Sequence, residues 1–345
     1  MRINKVPSAY SPEQLQQYLE RVQWKGEHPK PTLEDLRRLT RHHLSAIPFG
    51  NTFLIYEGEP PSVDPQEVFQ RVVVNKGGCF CFGQNLLFRE VLRAIGYKCY
   101  SGAARVNGEL DPLKKPQLGI QSHMTIFVTF EDSSDEQNDE NLYLVDVGFG
   151  RACIPQPMPL RSRVAVNGFL RDWHRITMVR HPDSALSHDV EPALDGLTAP
   201  QGYNYALEWQ ARNLDGTPEK PWAIQYMFTT MELFSPDYDS LHYYVCRNPP
   251  LFTRNIICSR LIPSPPDALG AMGVITLFNT IFKRRMPGKP EERIDLKTEE
   301  ERIKLIKEEF GIGNLPPNCY EIIKSKGLAL TEDSPRSASP RANMS

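Results

Sequence analysis

Three side chains in this sequence could together carry out nucleophilic chemistry: Cys81, His123 and Asp146. Cys81 closes Gly77-Gly78-Cys79-Phe80-Cys81, directly before a run with helical spacing. A thiol at a helix N-terminus meets unpaired backbone N–H groups and the positive end of the macrodipole, both of which favour the thiolate. Read alone, a cysteine beside glycines is more often a small buried side chain. His123 opens the strand-like run His-Met-Thr-Ile-Phe-Val, and Asp146 ends Tyr-Leu-Val-Asp just before Gly148-Phe149-Gly150. If the two runs pair as a hairpin, the imidazole and the carboxylate lie side by side at one end of a sheet. Asp146 would then fix the His123 tautomer and favour its imidazolium, and His123 would take the thiol proton. Taken singly, His123 reads as a capping or surface histidine and Asp146 as a turn residue.

Spacing also predicts the elements that must position these groups. Ser11-Pro12-Glu13-Gln14 supplies an N-cap, a first-turn proline and acidic charge ahead of Leu15, Tyr18, Leu19 and Val22. Thr32-Leu33-Glu34-Asp35 repeats the device before Leu36, Leu39 and Leu44, and Pro48 ends that helix. A third helix from Cys81 to Ala94 turns Leu86, Leu87, Val91 and Leu92 inward, and Gly96 stops it. The first ninety residues therefore read as helical. From Cys99 the period changes. Tyr100 to Val106, Met124 to Phe130, Leu142 to Val147, Arg175 to Val179 and Tyr205 to Trp209 predict an antiparallel sheet or barrel. The acidic stretch Glu131 to Asn141 reads as a solvated hairpin insertion. Beyond Pro218, Val274 to Phe278 is strand-like and Thr298 to Phe310 is a charged helix closed by Gly311. The tail from Thr331 has too few apolar groups to offset the cost of ordering and is expected to be mobile.

At 345 residues the chain should hold more than one packed unit. Its 40 basic and 42 acidic side chains leave a formal charge of -2, so no global field favours nucleic acid or an anionic membrane surface. A small-molecule partner is the expectation. No apolar run approaches the roughly 18 residues of a membrane span, and the start lacks the apolar core of a secretory signal. The expected setting is the cytoplasm. Seven scattered cysteines fit no disulfide framework and offer no second pair for zinc, so no metal is expected and most thiols should be reduced and buried.

The chain resembles the arylamine N-acetyltransferases over nearly its whole length up to the tail. Tyr18-Leu19-Glu20-Arg21 and Ala46-Ile47-Pro48-Phe49-Gly50-Asn51 are similar to the family's opening helices, where Ile-Pro-Phe-Glu-Asn is the usual ending. Cys81-Phe82-Gly83-Gln84-Asn85-Leu86-Leu87-Phe88 resembles the nucleophile helix, with Ile95-Gly96-Tyr97 closing it, and Val145-Asp146-Val147-Gly148-Phe149-Gly150 resembles the segment bearing the acidic triad member. The resemblance implies an α+β fold with a cysteine-protease-like Cys-His-Asp core. A helical bundle (1–95), a central antiparallel β-barrel (96–210), an interdomain segment with an α/β lid (211–330) and the tail (331–345) follow from it. It implies ping-pong transfer of an acetyl, propionyl or malonyl group from acyl-CoA, through Cys81, to an arylamine, arylhydroxylamine or hydrazine, as in xenobiotic detoxification. Backbone N–H groups near Cys81 would hold the oxyanion. By position, Val106 and Phe149 would line the acceptor pocket, and Gly148, Phe149 and Gly150 would form the loop that coenzyme A passes.

The departures from the family pattern are local. The family writes Arg-Gly-Gly-x-Cys, and this chain writes Lys76-Gly77-Gly78-Cys79-Phe80-Cys81. Counting forward from the glycines lands on Phe80, whereas counting back from Asn85 lands on Cys81. The second count is preferred, because an extra residue in a helix rotates its apolar face by about 100° while a loop absorbs it. Cys79 is the rival thiol. Gly83 stands where the family often has Glu or Gln, and Arg247-Asn248-Pro249-Pro250-Leu251-Phe252 lacks the serines of the family's cofactor-contacting lid segment. Lys283-Arg284-Arg285 could meet coenzyme A phosphates but reads first as a solvated loop. His42 and His43 are expected to cap or pack, and Trp24, Trp173, Trp209 and Trp222 to sit in core or rim. Two other classes use the same residues: a thiol hydrolase or transglutaminase-like enzyme, and a relic acyl-CoA binder without chemistry.

Overall fold

The computed structural model of the chain describes residues 3–330, apart from Glu59, Leu110, 130–141, 161–163, 187–201, Leu214, Pro249, 264–271 and Asn314. The acidic insertion and the tail from 331 thus lie outside the described residues.

Helix α1 (Pro12–Arg21) starts in a capping box. The Ser11 hydroxyl accepts the Gln14 N–H, and the Gln14 side chain accepts the Ser11 N–H. Thr32 caps α2 (Leu33–Ala46) through its hydroxyl, which accepts the Asp35 N–H, while the Asp35 carboxylate takes the Lys30 N–H; Pro48 lies just past the helix end. A two-residue strand, β1 (Phe49–Gly50), follows, then a π-helical turn at 53–57, the short α3 (Pro65–Phe69) capped by Asp64, and a second π-helical turn at 70–74. A purely helical reading of the first ninety residues therefore misses β1, which is too short to carry a period. Helix α4 (Cys81–Ile95) ends at Gly96, whose φ of 110° only glycine adopts easily. Its residues from Cys81 to Leu92 are all buried, because α1 and α3 pack on one side and strands on the other. The expected inward face was only part of what α4 buries. A helix covered on all sides must satisfy its polar groups inside the protein. Accordingly Arg89 is paired with Glu90 and Ser101, and Glu90 accepts the Ala9 N–H.

Eight strands then form one antiparallel, nearly closed barrel-like sheet. They are β2 (Lys98–Val106), β3 (His123–Thr129), β4 (Tyr143–Val145), β5 (Met158–Pro159), β6 (Val166–Asn167), β7 (Asp172–Arg180), β8 (Tyr203–Ala211) and β9 (Ala223–Phe228). Their order is β5-β4-β3-β2-β9-β8-β7-β6. All five predicted strand runs are present, and β3 does pair with β4. The register between β8 and β9 shifts at Leu207/Glu208, where Gln225 is the extra residue of β9. Such a bulge re-aims side chains near a site.

The remaining chain runs through α5 (Ser235–Arg247), α6 (Pro250–Thr253), β10 (Ile257–Ile262), β11 (Gly273–Phe278), β12 (Ile281–Arg285), β13 (Glu292–Asp295), α7 (Glu299–Phe310) and α8 (Cys319–Ser325). The second sheet, β1-β10-β11-β12-β13, takes its edge strand from the N-terminal region, and α2 and α7 pack against β10. Asn51 fastens this join: its side chain donates to the carbonyls of Phe252 and Asn255, each at 2.7 Å, and accepts the Ile257 N–H at 2.8 Å. The architecture is the α+β one expected, with helices first, the barrel-like sheet in the middle and a mixed region last.

Candidate active site

Cys81 is the first residue of α4, and the N-cap position before it is Phe80, which has no side chain able to cap. The orphan donors of this helix end need other partners. Cys79 supplies one, since its sulfur accepts the N–H groups of Phe80 and Gly83. That contact explains Gly83, because a Cβ there would stand 2.0 Å from the Cys79 sulfur. The two local departures in this loop are thus one packing arrangement. Burial pushes the Cys79 thiol up to about 12, so it stays a thiol at neutral pH. Cys81 lines the cavity described below.

His123 is the first residue of β3, and Asp146 lies just past the end of β4, so the hairpin brings them together. His123 Nε2 is 2.6 Å from Asp146 Oδ2, and both side chains are at most 3% exposed. Asp146 is held by four donors: His123, the Tyr226 hydroxyl (3.1 Å), the Asn85 amide (3.0 Å) and the Gly148 N–H (2.9 Å). With Nε2 engaged, Nδ1 is the ring nitrogen left for the hydrogen bond that His123 makes with Cys81. The thiol also reaches the Ser122 carbonyl at 3.8 Å. The three predicted residues are therefore adjacent, in the order carboxylate, imidazole, sulfur.

Burial alone would push the His123 imidazole down. The Asp146 charge and hydrogen bond, with those of Cys81, outweigh it and lift the ring to about 10. Burial would likewise raise Asp146, but His123, Asn85 and Gly148 hold its carboxyl below the usual value.

Asn85, one helical turn after Cys81, joins α4 to both strands. Its amide donates to Met124 O at 2.6 Å and to Asp146, and its oxygen accepts the Val147 N–H at 3.0 Å. Gly148 is pressed against the same helix: a Cβ would lie 2.6 Å from Cys81 Cα. Phe149 closes the His123 ring edge-on at 4.8 Å and also meets Tyr226 at 5.0 Å.

Cys81 and His123 open onto a cavity of about 480 Å³, which Val106, Gly148, Phe149 and Gly150 also line. All of the residues singled out as pocket candidates from the sequence thus share one space. The same wall includes Trp209, Gln225, Leu251 and Phe252, and the two cations Lys283 and Arg285. The basic cluster is strand β12 and not a loop. The period-two alternation of a strand turns Lys283 and Arg285 to the cavity side and sends Arg284 to Glu309 (2.6 Å) and Glu292 (3.1 Å). Lys283 is braced by Glu291 at 2.7 Å. In the lid segment, Phe252 stacks on Phe80 at 5.3 Å, so packing replaces the absent serines there.

His42 packs on Trp24 and reaches the Val22 carbonyl at 3.0 Å, and His43 is buried between Tyr18 and Gln84. Trp24, Trp173 and Trp222 each carry an arginine on the ring face. Among the described residues no three His, Cys, Asp or Glu side chains are grouped to hold a metal. The roles of Tyr226 and Asn85 escaped the sequence reading, and for the β12 cations, which it named as a phosphate contact behind a solvated-loop reading, it missed the strand and which two face the cavity. Each depends on a partner at least 60 residues away or on strand parity that a charge cluster conceals.

A family model described as N-acetyltransferase matches residues 32–315. An N-malonyltransferase FDB2 from Fusarium pseudograminearum is 28% identical over 331 residues, covering 89% of this chain and 90% of that protein. The structure of arylamine N-acetyltransferase from Mycobacterium tuberculosis superposes with a TM-score of 0.66 at 25% identity, over 87% of this chain and 94% of its own. The Mycobacterium marinum arylamine N-acetyltransferase, solved in complex with CoA, has the same fold: TM-score 0.67, 21% identity, 90% of this chain and 97% of that one.

Proposed function

Because the chain belongs to the arylamine N-acetyltransferase family, we propose that it moves a short acyl group from coenzyme A to an aromatic amine through an acyl-enzyme on Cys81. The observation that carries this reading is the contact series Asp146, His123, Cys81 at the wall of one cavity. In the first half-reaction the Cys81 thiolate attacks the thioester carbonyl, and the oxyanion forms at the N-terminus of α4. Collapse breaks the bond to the coenzyme A sulfur, and the leaving thiolate takes the proton from the His123 imidazolium. One thioester replaces another, so the step is nearly isoenergetic. In the second half the amine nitrogen attacks the acyl-cysteine, His123 takes the N–H proton as base, and Cys81 leaves as thiolate. The imidazolium is restored and an N-acyl amine departs.

Val106 and Phe149 supply an apolar wall suited to an aromatic acceptor. Lys283 and Arg285 supply positive charge suited to a phosphate of coenzyme A or to the free carboxylate of a malonyl donor. A relative named as an N-malonyltransferase and another solved with CoA support both donors of charge. A cytoplasmic setting, with foreign aromatic amines as acceptors, completes the reading.

Intact and peptide mass spectrometry after exposure to acetyl-, propionyl- and malonyl-CoA tests it and identifies the donor. The expected adduct sits on Cys81, disappears in Cys81→Ala and survives Cys79→Ala. An adduct that follows Cys79 would overturn the assignment. Coenzyme A release that proceeds as fast without amine as with it would make the protein a thioester hydrolase.

A further inference from the structure

A second buried network ends beside the nucleophile, and its polarity can be read atom by atom. Gln84 Nε2 donates to the carbonyl oxygens of Pro48 at 2.8 Å and Cys79 at 3.2 Å, so Oε1 is the amide atom that faces His43. His43 Nε2 lies 2.7 Å from that oxygen and must carry the ring proton. Nδ1 is then the bare nitrogen, and it accepts the Tyr18 hydroxyl at 2.9 Å. Tyr18, His43 and Gln84 are each at most 1% exposed. The donors run one way, from Tyr18 on α1 through α2 to α4, and end on the carbonyl two residues before Cys81.

That carbonyl has a second donor, the Gly50 N–H at 2.9 Å. Two donors on one oxygen fix the plane of the Cys79–Phe80 peptide and so the turn from which α4 begins. At this helix end the Cys79 sulfur takes the N–H groups of Phe80 and Gly83, and the Gln84 N–H goes to Phe80 O at 2.9 Å. The N–H groups of Cys81 and Phe82 are the helix-end donors that remain. A carbonyl carbon bonded to the Cys81 sulfur would carry its oxygen at this end.

Resting on the acyl-transfer reading above, we propose that Tyr18, His43 and Gln84 are positioning residues for the reaction: their relay anchors the Cys79 carbonyl and thereby aims the Cys81 N–H at the developing oxyanion. None of the three touches substrate. Burial pushes His43 down to about 4, so the ring stays neutral and the relay keeps its direction throughout the neutral range. A donor displaced by a fraction of an ångström loses much of its effect on an oxyanion while leaving the sulfur itself untouched.

Two reactions of Cys81 separate these effects. Acylation by acetyl-CoA or by p-nitrophenyl acetate passes through an oxyanion, whereas alkylation by iodoacetamide is a direct displacement at carbon and does not. Gln84→Met and His43→Phe keep the buried volume and remove the relay. The expected result is acylation slowed roughly 10- to 100-fold, with alkylation within about threefold of the wild type. His43→Gln can still donate to Gln84 and accept from Tyr18, and should recover acylation to within about threefold of the wild type. Acylation and alkylation falling together in folded variants, or acylation unchanged, would overturn the proposal. If Gln84→Met does not fold, the comparison of His43→Phe with His43→Gln decides. A wild type that accepts the nitrophenyl ester but no acyl-CoA would sink the proposed function while the relay is still judged on the ester. A Cys81 acylated by neither sinks both.

Discussion

His123 occupies a dry site that by itself would strip its proton, and the adjacent Asp146 reverses the outcome. The folded ring, at about 10, lies above its ordinary 6.5. Its stabilising contribution is thus complete below about 6.5 and is lost as pH rises through about 10. Asp146, held low, contributes above the ordinary carboxylate range, and that contribution is lost on acidification through its depressed value. The His123 loss runs between about 6.5 and about 10 and so begins in the neutral range even though the folded ring stays charged there, whereas the Asp146 loss lies wholly at acid pH. In a histidine-labelled NMR titration His123 should therefore stay imidazolium across about pH 5 to 8, where a free ring would change state. Asp146→Asn removes the charge that outweighs burial. The ring should then be neutral in that window, with Cys81 acylation reduced roughly 100-fold or more. A His123 signal that titrates near its ordinary value in the wild type would remove the basis for a resting ion pair.

At the scale of the element, the first turn of α4 shows how a helix can begin without a capping side chain at its N-cap. Cys79 does from one position earlier what serine or aspartate usually does, and its sulfur needs the space of a missing Cβ. Alanine is ordinarily better than glycine inside a helix by about 1 kcal/mol. Here Gly83→Ala should instead destabilise by about 1–3 kcal/mol, because the sulfur at 2.0 Å has to move. Adding Cys79→Ala to Gly83→Ala should recover most of that loss. Urea denaturation of the two single variants and the double variant measures the coupling. Additive effects would show that the sulfur and the glycine do not share the space.

For the whole molecule, the helix starts were legible because Ser11, Thr32 and Thr298 write their caps locally, and the barrel strands because alternation is local too. The candidate triad was legible through two short-range facts, a cysteine opening a helix and a histidine and aspartate on neighbouring strands. What escaped was set by long-range contact. Strand β1 has two residues and exists through its pairing with β10, some two hundred positions later. The Gln84 amide looks like any exposed helical glutamine until His43 and Cys79 are placed around it. Lys283 and Arg285 look like one cluster with Arg284 until the pleat divides them. Their setting differs in kind from that of the candidate triad. Asp146 and His123 are almost wholly buried, so mobile ions have little purchase on their attraction, whereas Lys283 and Arg285 are partly exposed at the cavity wall. Added sodium chloride should therefore raise the apparent KM for acyl-CoA and leave the turnover of saturated enzyme nearly constant. Steady-state kinetics between low and moderate ionic strength would show whether electrolyte acts on capture, on chemistry, or on both.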